Sequence, residues 1–521
     1  MKFALRRTLP LLLALALAAP APAQVRLPSL GDSVSEDFDV ATERRLGERI
    51  MRAVRSDPAY LDDPLLLDYV QSLWQPLVAA ARQRGEIGAD VDSAFAWEAF
   101  LVRDRSVNAF ALPGGYVGVH LGLMAMTATR DELASVLAHE LVHISQRHIA
   151  RGVANSSRQS LIGMAAMMVG LLAASRSGSS GADVAQAAVL GGQAAMMQGQ
   201  LNFSRDMERE ADRIGYGIYS AAGYAPAGAA AMFEKLENAF RLNDGGNAFP
   251  YLRSHPLSTE RIGEARSRID GSAAAPAGPR GAFEHAAMQA RARVLMDTTV
   301  QALRRQQAFE AAAGAGAAER YGALIGSATA SFELREPARA RSTLAAAAPL
   351  LRDGLGSARE PRAERQLALM QAQVQLAGGD VAGALTALER IDDGSRAVLL
   401  LRAQAALEAA RAGRPDELRR SAEALQSWVT EQRGDALAWS QLALVTRQQG
   451  QPLRALRAEA ESRAALGDIG GALDRLRAAQ RLARSGAASP DFIESSVIDT
   501  RVRQLDAQQR ALLDEARNER R

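Results

Sequence analysis

The sequence predicts two folded units in series: an α+β unit, mostly helical with a small sheet, and then an all-α array of helix–turn–helix repeats. Three observations carry this. At 521 residues the chain is too long for one ordinary domain. The stretch Gly271-Ser272-Ala273-Ala274-Ala275-Pro276-Ala277-Gly278-Pro279 has the composition of a linker. Strand and hairpin signals occur before it, whereas almost everything beyond it reads as helix. The expected boundaries are a leader at 1–23, the α+β unit at 24–270, the linker at 271–281 and the repeats at 282–521.

Taken in order, Lys2, Arg6 and Arg7 precede an apolar run from Leu9 to Ala19 and the small-residue site Ala21-Pro22-Ala23, the pattern of a cleavable secretory signal. Residues 36–83 read as helical, with Leu46, Ile50 and Val54 on one face. A second helix follows Asp63-Pro64, with Leu65, Leu66, Tyr69, Val70, Leu73 and Trp74 at helical spacing. Phe95 to Val102 alternates as a strand. Asn108 to Leu112 and Tyr116 to Val119 flank Pro113-Gly114-Gly115, a hairpin signal. A helix carrying His139 to His143 is expected directly after it. Between 160 and 203 the chain turns to Ala, Gly and Met with few charges. That stretch is too diluted for a membrane span and reads equally as a pair of core helices or as a Met-rich flap, with which peripheral membrane association is compatible.

Beyond the linker, a turn glycine followed five residues later by a small or apolar residue recurs at Gly379/Ala384, Gly413/Leu418 and Gly450/Ala455, with a further half-unit at Gly467/Ala472. The glycines are spaced 34 and 37 residues apart, and Trp439, Leu442 and Ala443 fall where a TPR-like repeat places packing residues. Such solenoids present concave surfaces to peptides and proteins.

Charge and cysteine content narrow the function. Removing the leader takes three basic residues, so Lys+Arg falls from 62 to 59 against Asp+Glu 59. A near-neutral chain is a poor electrostatic ligand for nucleic acid. With no cysteine, the chain has no disulfide, no thiol nucleophile and no cysteine-linked lipid anchor.

The chemistry is concentrated in His139-Glu140-Leu141-Val142-His143. Histidines four apart share one helical face and can point two imidazoles at one metal ion. Glu140 is then placed to act as a general base towards water activated there. The preceding Asp131 to Ala138 reads as an amphipathic helix. A third ligand is needed, and Ser204 to Asp212 opens a helix with suitable carboxylates. Glu208 and Asp212 lie about 40° apart around a helix axis, whereas Glu210 is about 200° from Glu208 and faces away. Glu208 is therefore the expected ligand. Asp212 is expected either to hydrogen-bond a ligand histidine or to face the substrate. His120, His148 and His285 carry no comparable context; His148 is rotated off the metal face, and His285 is expected at the surface.

H-E-x-x-H followed by E-x-x-A-D, with Asn108-Ala109-Phe110-Ala111-Leu112-Pro113-Gly114-Gly115 before it, resembles the HtpX and CAAX-prenyl-protease type of zinc metallopeptidases. A leader and a TPR-like tail resemble its periplasmic branch, which acts in β-barrel assembly. The resemblance covers most of residues 40–270. It implies a zincin-like metalloprotease fold, one Zn²⁺ per chain held by His139, His143 and Glu208, Glu140 as base and Asp212 as an active-site acid. It also implies that His255, in His255-Pro256-Leu257-Ser258-Thr259-Glu260-Arg261, closes the fourth zinc position as a latch, with Arg261 near the active site as a substrate or oxyanion contact. The edge strand at Asn108, Ala109 and Phe110 would hold an extended peptide by main-chain pairing, which makes little demand on sequence. The expected function is a periplasmic endopeptidase with chaperone-like activity, degrading unfolded or stalled outer-membrane proteins and docking on the β-barrel assembly machinery through its TPR face. The alternative is a chaperone or adaptor carrying a latent protease.

Overall fold

A computed structural model describes residues 38–154, 205–242, 250–256, 258–270, 281–354, 359–391, 393–485 and 491–519. The expected leader, the stretch at 160–203 and all of the expected linker except Gly281 lie outside the described residues.

Helices α1 (Val40–Ser56) and α2 (Pro64–Gln83) start at Asp39 and Asp63, whose carboxylates accept the N–H groups of Thr42 and Leu66. Such caps satisfy amide groups that the first helical turn leaves without partners. Between them lies a two-residue strand, β1 (Tyr60–Leu61), too short to leave a sequence pattern. After α3 (Ala89–Ala94) come β2 (Glu98–Val102), β3 (Ala109–Leu112) and β4 (Tyr116–His120). The expected strand at Phe95 starts later, at Glu98, following Trp97 at a φ of 49°. Sheet order is β1-β2-β4-β3, with β2 and β4 parallel and the other pairs antiparallel.

The expected hairpin is present, with Gly114 and Gly115 at φ 78° and 91°, in the left-handed region that favours glycine. It leaves β3 at the sheet edge. Ala109 pairs with Val119, and His120 N–H donates to Asn108 C=O. Antiparallel alternation therefore turns the N–H and C=O groups of Val107, Ala109 and Ala111 away from β4, towards the outer side of the sheet.

A short helix, α4 (Leu121–Met126), intervenes before α5 (Arg130–Ser145), so the metal-motif helix does not follow the hairpin directly. Thr129 caps α5 by accepting Glu132 N–H, and Glu132 Oε2 accepts Ala128 N–H in return. The expected amphipathic character is not what α5 shows. Nearly every residue from Glu132 to Ser145 is buried, because α2, the sheet, α7 (Arg205–Ala221) and α8 (Pro226–Leu242) surround it. Between α5 and α7 lies α6 (His148–Ala154); α9 (Pro250–Ser254) and α10 (Thr259–Asp270) complete this part.

The remainder is helical: α11 (Ala282–Leu295), α12 (Val300–Gln307), α13 (Ala317–Glu333), α14 (Pro337–Gly354), α15 (Pro361–Ala377) and α16 (Val381–Glu389). Then follow α17 (Arg396–Arg411), α18 (Asp416–Glu431), α19 (Ala436–Gln448), α20 (Pro452–Ala465), α21 (Ile469–Arg484) and α22 (Phe492–Glu519). From α13 onward each helix packs on the next, and α17 also meets α15 and α19. Gly379, Gly413, Gly450 and Gly467 have φ between 73° and 85°, and each lies in the turn after a helix. These are the turn positions the spacing predicts.

One apolar cluster runs from Phe38 to Ala405, across the expected linker. Helix α11 packs on α2 and α4, and four arginines tie the helical array to the start of α2. Arg291 pairs with Asp63 at 2.7 Å, Arg362 and Arg365 reach Asp68, and Arg396 grips Asp62. His285 is at this junction, not at the surface: it is buried, with Nδ1 2.6 Å from Tyr69 Oη and Nε2 donating to Thr127 C=O. Periodicity within α11 could not reveal that its polar face meets another helix.

Candidate metal centre

Helix α5 presents His139 and His143 on one face, and α7 crosses it closely enough to add Glu208. Small residues permit the approach. Ala211 is fully buried, and a Cβ on Gly215 would lie 3.2 Å from Ala138 C=O. His255 follows α9 and enters from the other side. Ligating atoms of His139, His143, Glu208 and His255 lie within 4.8 Å of one another, and all four residues are buried. The two helix histidines face each other through Nε2, 3.0 Å apart. His255 Nδ1 is 3.3 Å from His139 Nε2 and 3.0 Å from Glu208 Oε1.

Several observations fit a cation at this point. Neutral imidazole nitrogens and a carboxylate are the donor set a divalent transition metal takes. Among the described residues, Glu140 Oε1 and Glu208 Oε2 are buried without a hydrogen bond of good geometry, although the Arg261 guanidinium lies 2.9 Å from the latter. Burial opposes a charge on His139, yet hydrogen bonds to Asp212 and Glu208 carry its pKa up to about 10, so the cluster draws in positive charge. Burial and the neighbouring His139 and His255 hold His143 well below the usual histidine range.

Glu140 occupies the far side of the cluster. Burial pushes its carboxyl up, against the pull of His255 and His139. Its Oε2 accepts the outward N–H of Ala111 on β3, at 3.0 Å, and its Oε1 lies 3.4 Å from His255 Nε2. Glu140 is thus hydrogen-bonded to the sheet edge at which peptide pairing is expected. Ala109 is buried, Phe110 half-buried, and the buried Asn108 Oδ1 has no hydrogen-bond partner among the described residues. Tyr251, which carried no sequence signal, donates its N–H to Val107 C=O at 3.4 Å, and its ring lies 4.6 Å from that of His255. The segment bearing His255 therefore rests on the end of the open edge.

Asp212 lies behind His139, with Oδ1 3.0 Å from Nδ1, the nitrogen turned away from the cluster. Of the two positions open to it in the sequence, it takes the one that orients a histidine. Arg261 is buried, with Nε 2.6 Å from Asp212 Oδ2, Nη2 3.0 Å from Oδ1 and Nη1 2.7 Å from Pro256 C=O. Those contacts hold it among the carboxylates, against Asp212 and Glu208. Burial opposes ionisation of Asp212, but His139 and Arg261 keep its carboxyl below the usual range. Glu210 lies outside the cluster, as its angle on the helix predicts. His148 does not stand apart from the centre: its Nδ1 is 3.0 Å from His143 Nδ1. His120 is elsewhere, with Nδ1 2.9 Å from Ser106 Oγ.

Residues 69–269 match Peptidase family M48, a span that contains both histidines of α5, Glu208, His255 and Arg261. This segment therefore resembles an M48 peptidase domain. The resemblance implies a metal ion, and the four-residue cluster is a site able to hold one. The chain is similar to a Vibrio cholerae protein, 34% identical over 271 residues that cover 51% of this chain and 53% of that one. It is 32% identical over 244 residues to the beta-barrel assembly-enhancing protease of Escherichia coli, covering 47% of each. A mitochondrial metalloendopeptidase of Saccharomyces cerevisiae is 32% identical over 197 residues, 37% of this chain and 53% of that one. The chain thus spans about half the length of the relatives it matches. Among the described residues, no helix is long and apolar enough to cross a membrane.

Proposed function

We propose that this chain is a periplasmic zinc endopeptidase acting in outer-membrane protein assembly and quality control, with a TPR-like array that docks substrates or the assembly machinery. The observation that carries the reading is the convergence of His139, His143 and Glu208 beside a buried glutamate that is hydrogen-bonded to an open sheet edge. His139, His143 and Glu208 would hold the zinc ion, which would supply the Lewis acidity that polarises a scissile carbonyl and lowers the pKa of water. Glu140 takes the proton from the attacking water and returns it to the leaving amine, a role suited to a carboxyl whose pKa burial has raised. Asp212 holds His139 by its Nδ1–H, and Arg261 holds Asp212.

An extended peptide adds to β3 through the outward groups of Ala109 and Ala111, which selects for unfolded chains. One of its side chains enters the adjoining pocket lined by Val136, Tyr216, Tyr219, Met232, Phe233 and Leu236, so apolar residues are favoured beside the cut. Substrates of this kind are unfolded or stalled outer-membrane proteins. The relatives named for β-barrel assembly and the secretory pattern at 1–23 support that assignment.

The second reading, an adaptor with a latent protease, is favoured by one specific observation: His255 fills the side of the cluster next to Glu140. The test is elemental analysis and casein cleavage by the wild type and by Glu140→Gln. One zinc per chain with cleavage only in the wild type is expected. Equal cleavage by a zinc-loaded Glu140→Gln would remove Glu140 as the base. Complementation of an assembly defect by Glu140→Gln would favour the adaptor.

A further inference from the structure

We infer that His148 and Glu210 form a hydrogen-bonded chain that fixes the tautomer and orientation of His143 and thereby sets the affinity of the metal centre. This rests on the metal-centre reading above and gives a positioning role to two residues outside the H-E-x-x-H signature. On a continuous helix, residue 148 would lie about 140° around the axis from residue 143, off the metal face. The helix does not continue. It ends at Ser145, Arg147 takes a φ of 52°, and α6 begins at His148. This turn brings the His148 ring against His143, with centroids 4.9 Å apart at 77°.

Hydrogen-bond roles then follow from one end of the chain. Glu210 Oε2 is 3.1 Å from His148 Nε2 and accepts a further bond from Arg151 at 2.9 Å. An ionised carboxylate only accepts, so His148 carries its proton on Nε2 and leaves Nδ1 as an acceptor. That Nδ1 is 3.0 Å from His143 Nδ1, which must therefore be the donor. The lone pair of His143 is left on Nε2, the atom that faces His139 Nε2 across the centre. The reverse order would aim a His148 lone pair at a carboxylate and put a proton on the nitrogen needed for the metal. Each α5 histidine thus has its own acceptor behind it: Asp212 for His139 and His148 for His143.

The test uses the full chain in a Glu140→Gln background, which prevents self-cleavage. Zinc affinity is measured by competition with a chromogenic chelator, alongside thermal unfolding of the metal-free proteins. His148→Phe keeps the ring volume and removes the acceptor, and should weaken zinc binding about 10- to 100-fold. His148→Gln, whose carbonyl can accept from His143, should recover most of that loss. Glu210→Leu, at a side chain 27% exposed and so tolerant of change, should weaken binding in the same direction. Metal-free unfolding temperatures should match the parent. Unchanged zinc affinity in His148→Phe and Glu210→Leu would overturn the inference, as would equal losses in His148→Phe and His148→Gln. If His148→Phe does not fold, Glu210→Leu decides alone. A parent that binds no zinc would refute the metal-centre reading itself, an outcome distinct from all of these.

Discussion

Replacing His255 by alanine asks whether its imidazole restrains the enzyme. The side chain is 1% exposed and stands between the two carboxylates, 3.0 Å from Glu208 Oε1 and 3.4 Å from Glu140 Oε1. Only the first contact is a hydrogen bond of good geometry, and one hydrogen bond to a charged group contributes about 1.5–3 kcal/mol. If that contact holds the closed arrangement, its loss shifts the balance towards a site open to water and peptide. At about 1.4 kcal/mol per tenfold change, cleavage should rise about 10- to 150-fold. Tyr251 reinforces the expectation, because its N–H bond to Val107 holds the same segment against the end of β3. The assay is casein cleavage by His255→Ala, by wild type and by His255→Ala/Glu140→Gln, each at measured zinc content. Activation in the single variant should vanish in the double. Unchanged cleavage with zinc intact would refute the latch, and His255 would then be a structural residue ahead of Pro256.

Glu208→Gln should retain the fold and lose zinc, whereas Glu210→Gln, which keeps a carbonyl acceptor for His148, should lose much less; elemental analysis after dialysis separates the two. Ala109→Pro removes an N–H on the free edge without touching the pairing with β4. It should lower casein cleavage about fivefold, corresponding to one hydrogen bond of about 1 kcal/mol, with zinc retained. Arg291→Leu leaves the buried Asp63 carboxylate without its partner and should cost about 3–5 kcal/mol in urea unfolding at neutral pH. Burial raises the Asp63 pKa, but Arg291 and backbone N–H groups outweigh it and hold the carboxyl below its ordinary 3.8. The stabilisation from this pair is therefore complete above that value and is lost as pH falls below it. The Arg291→Leu deficit should accordingly shrink in acid; a deficit independent of pH would refute the ion-pair account.

Much of the metal centre was legible because helical geometry is local. His139 and His143 need only the 3.6-residue turn to share a face, and the same arithmetic separates Glu208 from Glu210. The hairpin at Pro113-Gly114-Gly115 and the turn glycines of the helical array were legible because a left-handed φ selects glycine. The contact of His148 with His143 was not legible, because one residue at positive φ, Arg147, redirects the chain after α5.

The sequence by itself determined which side chains could carry the chemistry: the histidines and carboxylates, their spacing, and the lack of any thiol. Tertiary structure alone decided where those groups meet. It set α7 against α5 through Ala211 and Gly215, turned Asp212 and Arg261 inward behind His139, and brought Glu140 to the N–H of Ala111. It also buried His285, because Asp62, Asp63 and Asp68 at the start of α2 meet arginines more than 200 residues further along the chain. The physical reason is range. Periodicity reports the face a residue occupies on its own element, while contacts between elements depend on packing that no local spacing encodes.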